Sequence, residues 1–313
     1  MNKRFLILLT ALGSLTACNQ QEPETNPTRG RITAIVAESH AALMQLETDE
    51  FHRLYQAAQV NLLTATTREA IVHLINDSVR IIIIDRPLNA EERTIVKNND
   101  INIHETKIAI DALALVVHKQ NPLENIKLAT FRDIVRGEIT NWNAWQRKNW
   151  SGPIEFVFTG RNSGAYELLA QKFLNLSEEI VPTVVAKTQK EVLDYVGSHP
   201  HSLGVVSTAC FYSVTRPQGV QDSTTVLRTL AVERQDSTGV SAFAKLHPAN
   251  VYRGFYPFHY GIYIYTTSAP TRDAGPEIGF TTFVASFPGQ KIIQDAGLVP
   301  ATMPIRLVQI NED

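Results

Sequence analysis

The stretch Ala112-Leu-Ala-Leu-Val-Val-His-Lys-Gln-Asn-Pro-Leu123, followed by Leu128-Ala-Thr-Phe-Arg-Asp-Ile-Val-Arg-Gly-Glu-Ile-Thr-Asn-Trp142, decides the fold class. Its opening run, Ala112–His118, is apolar up to its last residue, a pattern suited to a strand buried on both faces. Asn121-Pro122 ends that run, because proline has no N–H to offer a ladder. Thr130-x-x-Asp133 then has the spacing of a capping box. Phe131, Ile134 and Val135 follow at helical spacing and Gly137 closes the turn. The segment therefore reads as strand, turn and helix.

The same alternation extends in both directions. Strands are expected at Ile32–Ala37, Val60–Ala65, Arg80–Ile84, Ile103–Ile110, Ala112–His118, Ile154–Thr159, Leu203–Ser207 and Gly261–Thr266. Met44, Phe51, Leu54 and Tyr55 make one stripe of an amphipathic helix. Thr188-x-x-Glu191 opens another, with Val192, Tyr195 and Val196 on one face and Gly197 as its stop. Phe280, Phe283, Val284 and Phe287 mark a last helical stretch before Gly289. Strands that alternate with helices imply an α/β protein with mainly parallel sheets covered on both faces. No repeat of fixed period is visible, so solenoids and propellers are set aside.

Composition narrows the function. The chain has 313 residues, 44% hydrophobic and 19% charged, enough for two domains or one large one. Lys+Arg 29 against Asp+Glu 31 provides no basic footprint for nucleic acid. Two cysteines, Cys18 and Cys210, exclude a disulfide scaffold and a cysteine zinc site. Cys210 is expected to pack as a small hydrophobe. Residues 1–17 show Lys3 and Arg4, an apolar run from Phe5 to Leu12 and then small residues, the pattern of a secretory signal. The run falls far short of the ~20 residues that span a bilayer. Leu15-Thr16-Ala17-Cys18 resembles a bacterial lipobox, which makes Cys18 the expected lipidation site. Residues 18–30 are polar and rich in Glu, Pro, Thr and Asn, a composition expected of a flexible tether.

A hydroxyl recurs wherever a strand hands over to a helix. Ser39 follows the first strand, Thr66 and Thr67 the second, and Ser163 the Ile154–Thr159 strand. Ser and Thr are good N-caps, so any one of these has a structural explanation. Three together at strand ends suggest an anion site built from N–H groups and hydroxyls. Arg161 precedes Ser163-Gly164 and could grip an oxyanion with its planar fork. Asp85 emerges from Arg80–Ile84 and would repel an anion unless that anion still carries a proton. Phosphate does so at neutral pH and sulfate does not. Pairing with Arg86, or capping the turn at Pro87, is the structural alternative for Asp85.

With these residues in place, the chain resembles the phosphate-binding proteins of bacterial ABC importers, periplasmic receptors of the type 2 binding-protein fold. The strand, Asn-Pro turn, helix and Gly137-x-Ile-Thr-Asn-Trp142 carry the resemblance. Ile84-Asp-Arg-Pro-Leu88, Gly160-Arg-Asn-Ser-Gly164, Leu203-Gly-Val-Val206, Tyr256-Pro-Phe258, Gly261-Ile-Tyr-Ile-Tyr265, Gly289-Gln-Lys-Ile-Ile293 and Ala296-Gly-Leu-Val-Pro300 agree in order. The resemblance implies two α/β lobes joined by a two-strand hinge: residues 31–112 with 255–313, and residues 113–254. It implies phosphate held by Ser39, His40, Thr67, Asp85, Arg161, Ser163, Gly164 and Ala165, and delivered to ABC permease subunits. A monomer on the extracytoplasmic side, anchored through lipid, is expected, with no cofactor, no metal and no catalysis. Three departures stand out. Ala165 occupies a position that usually bears a hydroxyl, Arg68 and Glu69 replace small residues, and His40, a lone histidine, suits packing better than ligation.

Other chemistries find little support. Gly160-Arg-Asn-Ser163-Gly164 lacks the G-x-S-x-G spacing of a nucleophile elbow. His199-Pro-His201 lacks the i, i+4 spacing of a helical metal pair, and no P-loop or dinucleotide fingerprint occurs. A different oxyanion, a sensing lipoprotein without a permease and, less favoured, a phosphoester hydrolase are the alternatives.

Overall fold

The computed structural model describes residues 25–145, 150–161, 163–174, 180–215, 225–235, 241–268 and 274–303. The signal segment and Cys18 lie outside them.

The chain opens with β1 (Gly30–Ala37), α1 (Ala41–Leu54), β2 (Ala58–Ala65), α2 (Thr67–Ile75), β3 (Ile81–Ile84) and α3 (Ala90–Asn98). β4 (Asn102–His118) is a single long strand, followed by the short β5 (Asn125–Ile126) and α4 (Leu128–Val135). Next come β6 (Glu155–Thr159), α5 (Gly164–Glu167) with a π-helical continuation over Leu168–Phe173, β7 (Val184–Ala186), α6 (Gln189–Ser198), β8 (Ser202–Ser207) and α7 (Thr208–Thr215). The remaining elements are β9 (Leu227–Thr229), β10 (Ala231–Gln235), β11 (Ser241–Ala244), α8 (Pro248–Tyr252), β12 (His259–Ser268), α9 (Pro276–Ala285), α10 (Phe287–Asp295) and β13 (Val299–Pro300).

One large sheet runs β2-β1-β3-β12-β4-β8-β6-β7, with β9 and β13 also paired to β4; β11-β10-β5 form a small second sheet. Pairing is parallel among β1, β2 and β3 and again among β6, β7 and β8. It is antiparallel wherever β4 or β12 takes part in the large sheet. The expected strands Ile103–Ile110 and Ala112–His118 are therefore one element. Asp111, which lies between the two expected strands, is buried inside it.

β4 changes partners along its length. As far as Ala112 it pairs with β12, and from Leu113 onward with β8. The molecule thus has a first flank, β2-β1-β3-β12, and a second flank, β8-β6-β7, sharing one strand. Burial follows the apolar runs: Ile81, Ile82, Ile83 and Ile84 are each 0% exposed, as are Leu113 through Val117. Phe51 packs against Phe280 and Phe283, tying α1 to α9.

Several local expectations change. Lys127 is the N-cap of α4 and makes no side-chain cap, so Thr130 lies inside the helix and not at a capping box. Gly137 does close that helix, at φ +75°. Thr188 caps α6 as expected, accepting from the Glu191 N–H, but the helix runs through Gly197 to Ser198. The last helical stretch divides at Ser286 into α9 and α10, because Pro288 cannot continue the ladder and sits in the first turn of α10. At the other end, Asn26 and Arg29 close a turn through paired main-chain hydrogen bonds of 3.0 and 3.1 Å. The last part of the 18–30 segment is thus ordered into the fold instead of forming free tether.

Candidate functional site

β1, β2, β6 and β7 end around one cavity of about 710 Å³ between the two flanks. Ser39 reaches it from β1, Thr66 and Thr67 from β2, and Arg161, Ser163 and Gly164 from β6. The strand-end hydroxyls inferred from sequence do converge.

Each hydroxyl is placed by its local structure. Thr66 is the N-cap of α2, in a full capping box with Glu69. Glu69 accepts from the Thr66 N–H and hydroxyl at 3.0 and 2.9 Å, which holds its carboxyl below the usual range. Glu69 lines the cavity, with its carboxylate engaged by the start of the helix. Arg68 is exposed and is not on the cavity wall; its charge acts on Glu92. Thr67, freed from capping, donates its hydroxyl to Asp85 Oδ1 at 2.7 Å.

Asp85 is 1% exposed, and its Oδ2 has no hydrogen-bond partner among the described residues. Burial pushes its carboxyl upward against the Thr67 hydrogen bond, and the charge of Glu167 pushes the same way. Gly164, from the opposite flank, lies against Asp85 Oδ2 so closely that no side chain fits there. The carboxylate is thus not on the cavity wall; it sits just behind Thr67 and Gly164.

Ser163 is the N-cap of α5, accepting from the Tyr166 N–H at 3.1 Å, and its hydroxyl lies 2.6 Å from that of Thr159. A hydroxyl accepts twice and donates once. With Thr159 donating, Ser163 retains its proton for an anion in the cavity. Ala165 is 2% exposed and belongs to the core, so its methyl group does not face the cavity.

His40 is not brought to the cavity wall. It is fully buried, with its ring 3.7 Å from Asp111 Oδ2 and 6.1 Å from Tyr260 by centroids. Burial pushes its pKa down to about 3, so the ring is neutral. Asp111, where β4 changes partners, accepts from the Ala112 N–H at 2.6 Å and the Tyr260 hydroxyl at 3.0 Å. Burial is the main reason that its carboxyl rises to about 6.

Glu38, Lys187 and Gln189 also line the cavity and were not singled out from sequence. The Gln189 N–H donates to Glu38 Oε1 at 3.3 Å, crossing from the second flank to the first. Gln189 Oε1 accepts from the Ser207 N–H at 2.6 Å. β7, which delivers Lys187 and Gln189, is three residues long, too short to show a hydrophobic period. The Thr188 cap was the signal available.

His199 stacks on Tyr195 and His201 on Trp150, each a packing contact. Among the described residues no group of three or more His, Cys, Asp or Glu side chains could hold a metal, and no helix is long and apolar enough to cross a membrane. Cys210 is partly buried among apolar neighbours, and burial pushes its thiol up to about 12.

A protein from Pseudomonas aeruginosa named Phosphate-binding protein PstS is 21% identical over 306 residues, covering 90% of this chain and 87% of its own. Among solved structures, a phosphate-bound putative phosphate ABC transporter substrate-binding protein from Clostridium perfringens superposes with TM-score 0.71 at 19% identity, covering 87% of this chain and 100% of that one. An ABC-type phosphate transport receptor from Vibrio cholerae superposes with TM-score 0.64 at 19% identity, with the same coverage. The family model described as the PBP superfamily domain matches residues 21–287. The chain therefore belongs to the PBP superfamily domain family.

Proposed function

We propose that this protein captures inorganic phosphate between two lobes and delivers it to an ABC importer outside the cytoplasm. The lobes are residues 31–112 with 255–313, and residues 113–254, and β4 and the chain entering β12 act as the hinge. The observation that carries this reading is Asp85: a buried carboxylate with one oxygen held by Thr67 and the other without a partner among the described residues, just behind a cavity lined by Ser39, Thr67, Ser163 and Arg161. Such an acceptor suits an anion that brings its own proton. The names of the similar proteins support the same ligand and the transport role. They name binding proteins and receptors, not enzymes.

Arg161 supplies charge, Ser39, Thr67 and Ser163 supply hydroxyls, and Gly164 supplies close main-chain approach. Cys18 carries the lipid that keeps the monomeric protein at the membrane. Fractionating cells that express Cys18→Ser tests the anchor: the variant should leave the membrane fraction, and equal partitioning with an unchanged N-terminus refutes it.

Thermal shift and calorimetry against phosphate, arsenate, sulfate, molybdate and tungstate test the ligand, since an anion that binds only the folded state raises its melting temperature. Phosphate and arsenate should stabilise the protein most. Arg161→Ala should weaken binding by about 2–5 kcal/mol, the usual loss for a charge-assisted pair within an interface. Wild-type affinity in that variant would put the anion elsewhere.

A further inference from the structure

The two flanks touch outside the anion cavity through a cluster of charges. Arg86 follows Asp85 at the end of β3 and holds Glu92 with two hydrogen bonds, Nη1 to Oε2 at 2.8 Å and Nη2 to Oε1 at 2.9 Å. Glu92 is itself fixed as the N3 residue of the capping box that Asn89 makes at α3. The guanidinium is therefore pinned to the first flank, and its Nη1 also reaches the Pro87 carbonyl at 3.2 Å. Across the boundary, Glu167 Oε1 of the second flank stands 3.0 Å from Arg86 Nε, an ion pair whose geometry is not that of a hydrogen bond. Glu167 lies in the same first turn of α5 as Gly164, the residue that packs against Asp85.

We propose that Arg86 and Glu167 form a latch that holds the two flanks together and sets how long a captured anion stays. The inference rests on the reading of this protein as a phosphate receptor, and adds to it two residues that do not line the cavity. Three features support it. The side chains are 14% and 21% exposed, so water screens the pair less than it would a surface pair. Arg86 is held in place beforehand by Glu92, so little freedom is lost when Glu167 arrives. The latch also lies beside the Asp85–Gly164 contact, so parting Glu167 from Arg86 parts Gly164 from Asp85. A contact made only when the flanks meet stabilises that state alone, and so lowers the dissociation rate of a ligand enclosed between them.

The test uses the full-length protein and its Arg86→Gln, Glu167→Gln and double variants. Calorimetry with phosphate and the release of radiolabelled phosphate into an unlabelled chase give Kd and the off-rate. Glu167→Gln should weaken binding about fivefold, mostly through faster release. Added to Arg86→Gln, it should have almost no further effect, because the pair is already broken. Independent effects of the two changes, or wild-type release from Glu167→Gln, would overturn the latch. Small-angle scattering without added anion reads the latch without reference to phosphate: both single variants should show a larger radius of gyration than wild type, and equal radii would overturn it. Wild type that binds no phosphate yet contracts relative to its variants would retain the latch and refute the ligand.

Discussion

Asp85 and Asp111 are the same residue type, each 1% exposed, and they differ in what surrounds their oxygens. At the hinge, Asp111 has acceptor work on both oxygens, from the Ala112 N–H and the Tyr260 hydroxyl. At the cleft, Asp85 has Thr67 on one oxygen and, on the second, which lies against the other flank, no partner among the described residues. A buried acid with both oxygens engaged fixes the main chain around it. One left half engaged beside a cavity is unfavourable until a ligand completes it. Glu47, in α1, shows that an unpaired oxygen alone is insufficient. Both its oxygens lack partners among the described residues, yet it is not on the wall of the anion cavity.

The largest effect should come from breaking the hinge. Asp111→Ala strands the Tyr260 hydroxyl and the Ala112 N–H, and should cost about 4 kcal/mol of stability, the sum of two buried donors left unmade. Asp85→Ala should cost under about 1 kcal/mol while abolishing selective anion binding, since it removes an acid already short of partners. Urea unfolding of both variants makes the comparison, and equal losses would erase the distinction between the two aspartates.

Glu47 offers the next largest test. Burial alone raises its carboxyl from the usual carboxylate range to about 9, so the folded state retains a proton that the unfolded chain gives up. Stability it contributes is present in full below about pH 4.5 and is lost as pH rises toward 9. Glu47→Gln should therefore stabilise the protein by roughly 3 kcal/mol at pH 7 and by little at pH 4, with the interval from the unfolded pKa up to pH 7 converted at about 1.36 kcal/mol per unit. A variant less stable than wild type at pH 7 would show that Glu47 has a partner of its own.

Asp85→Asn sharpens the cleft side of the contrast. The amide retains the shape but offers a donor, so sulfate should gain on phosphate by on the order of 1–3 kcal/mol, the usual mismatch of a buried polar group. Competition titrations read this directly, and an unchanged ratio would assign selectivity to another residue. The smallest effect is Ser163→Ala, which removes one hydroxyl from the cavity wall and should weaken binding by about 1–2 kcal/mol.

Much of this was legible in the sequence, for physical reasons that can be named. The four isoleucines of β3 and the apolar run Leu113–Val117 declare double-sided burial, and Thr67, Asp85 and Ser163 could be placed because they stand where such runs end. What escaped notice depended on partners distant in sequence. The engagement of Asp111 relies on Tyr260, and without it an acid in mid-run reads as a strand break. His40 follows Ser39 directly but turns to the hinge, because its ring is drawn into packing with Tyr260. Gln189 and Lys187 follow a strand of three residues, below what periodicity can detect.

The shared strand also dictates the order in which the chain can be completed. β3 and the first part of β4 gain their common neighbour β12 only after the whole second flank has been laid down between them. Until then the first flank has two unpaired edges, one of them the four-isoleucine strand, and such edges invite pairing with other chains. The second flank and β4 can form from contiguous sequence. Folding should therefore proceed from the inserted half outward, with the arrival of β12 closing the sheet, and a chain stalled before His259 should aggregate instead of yielding half a receptor.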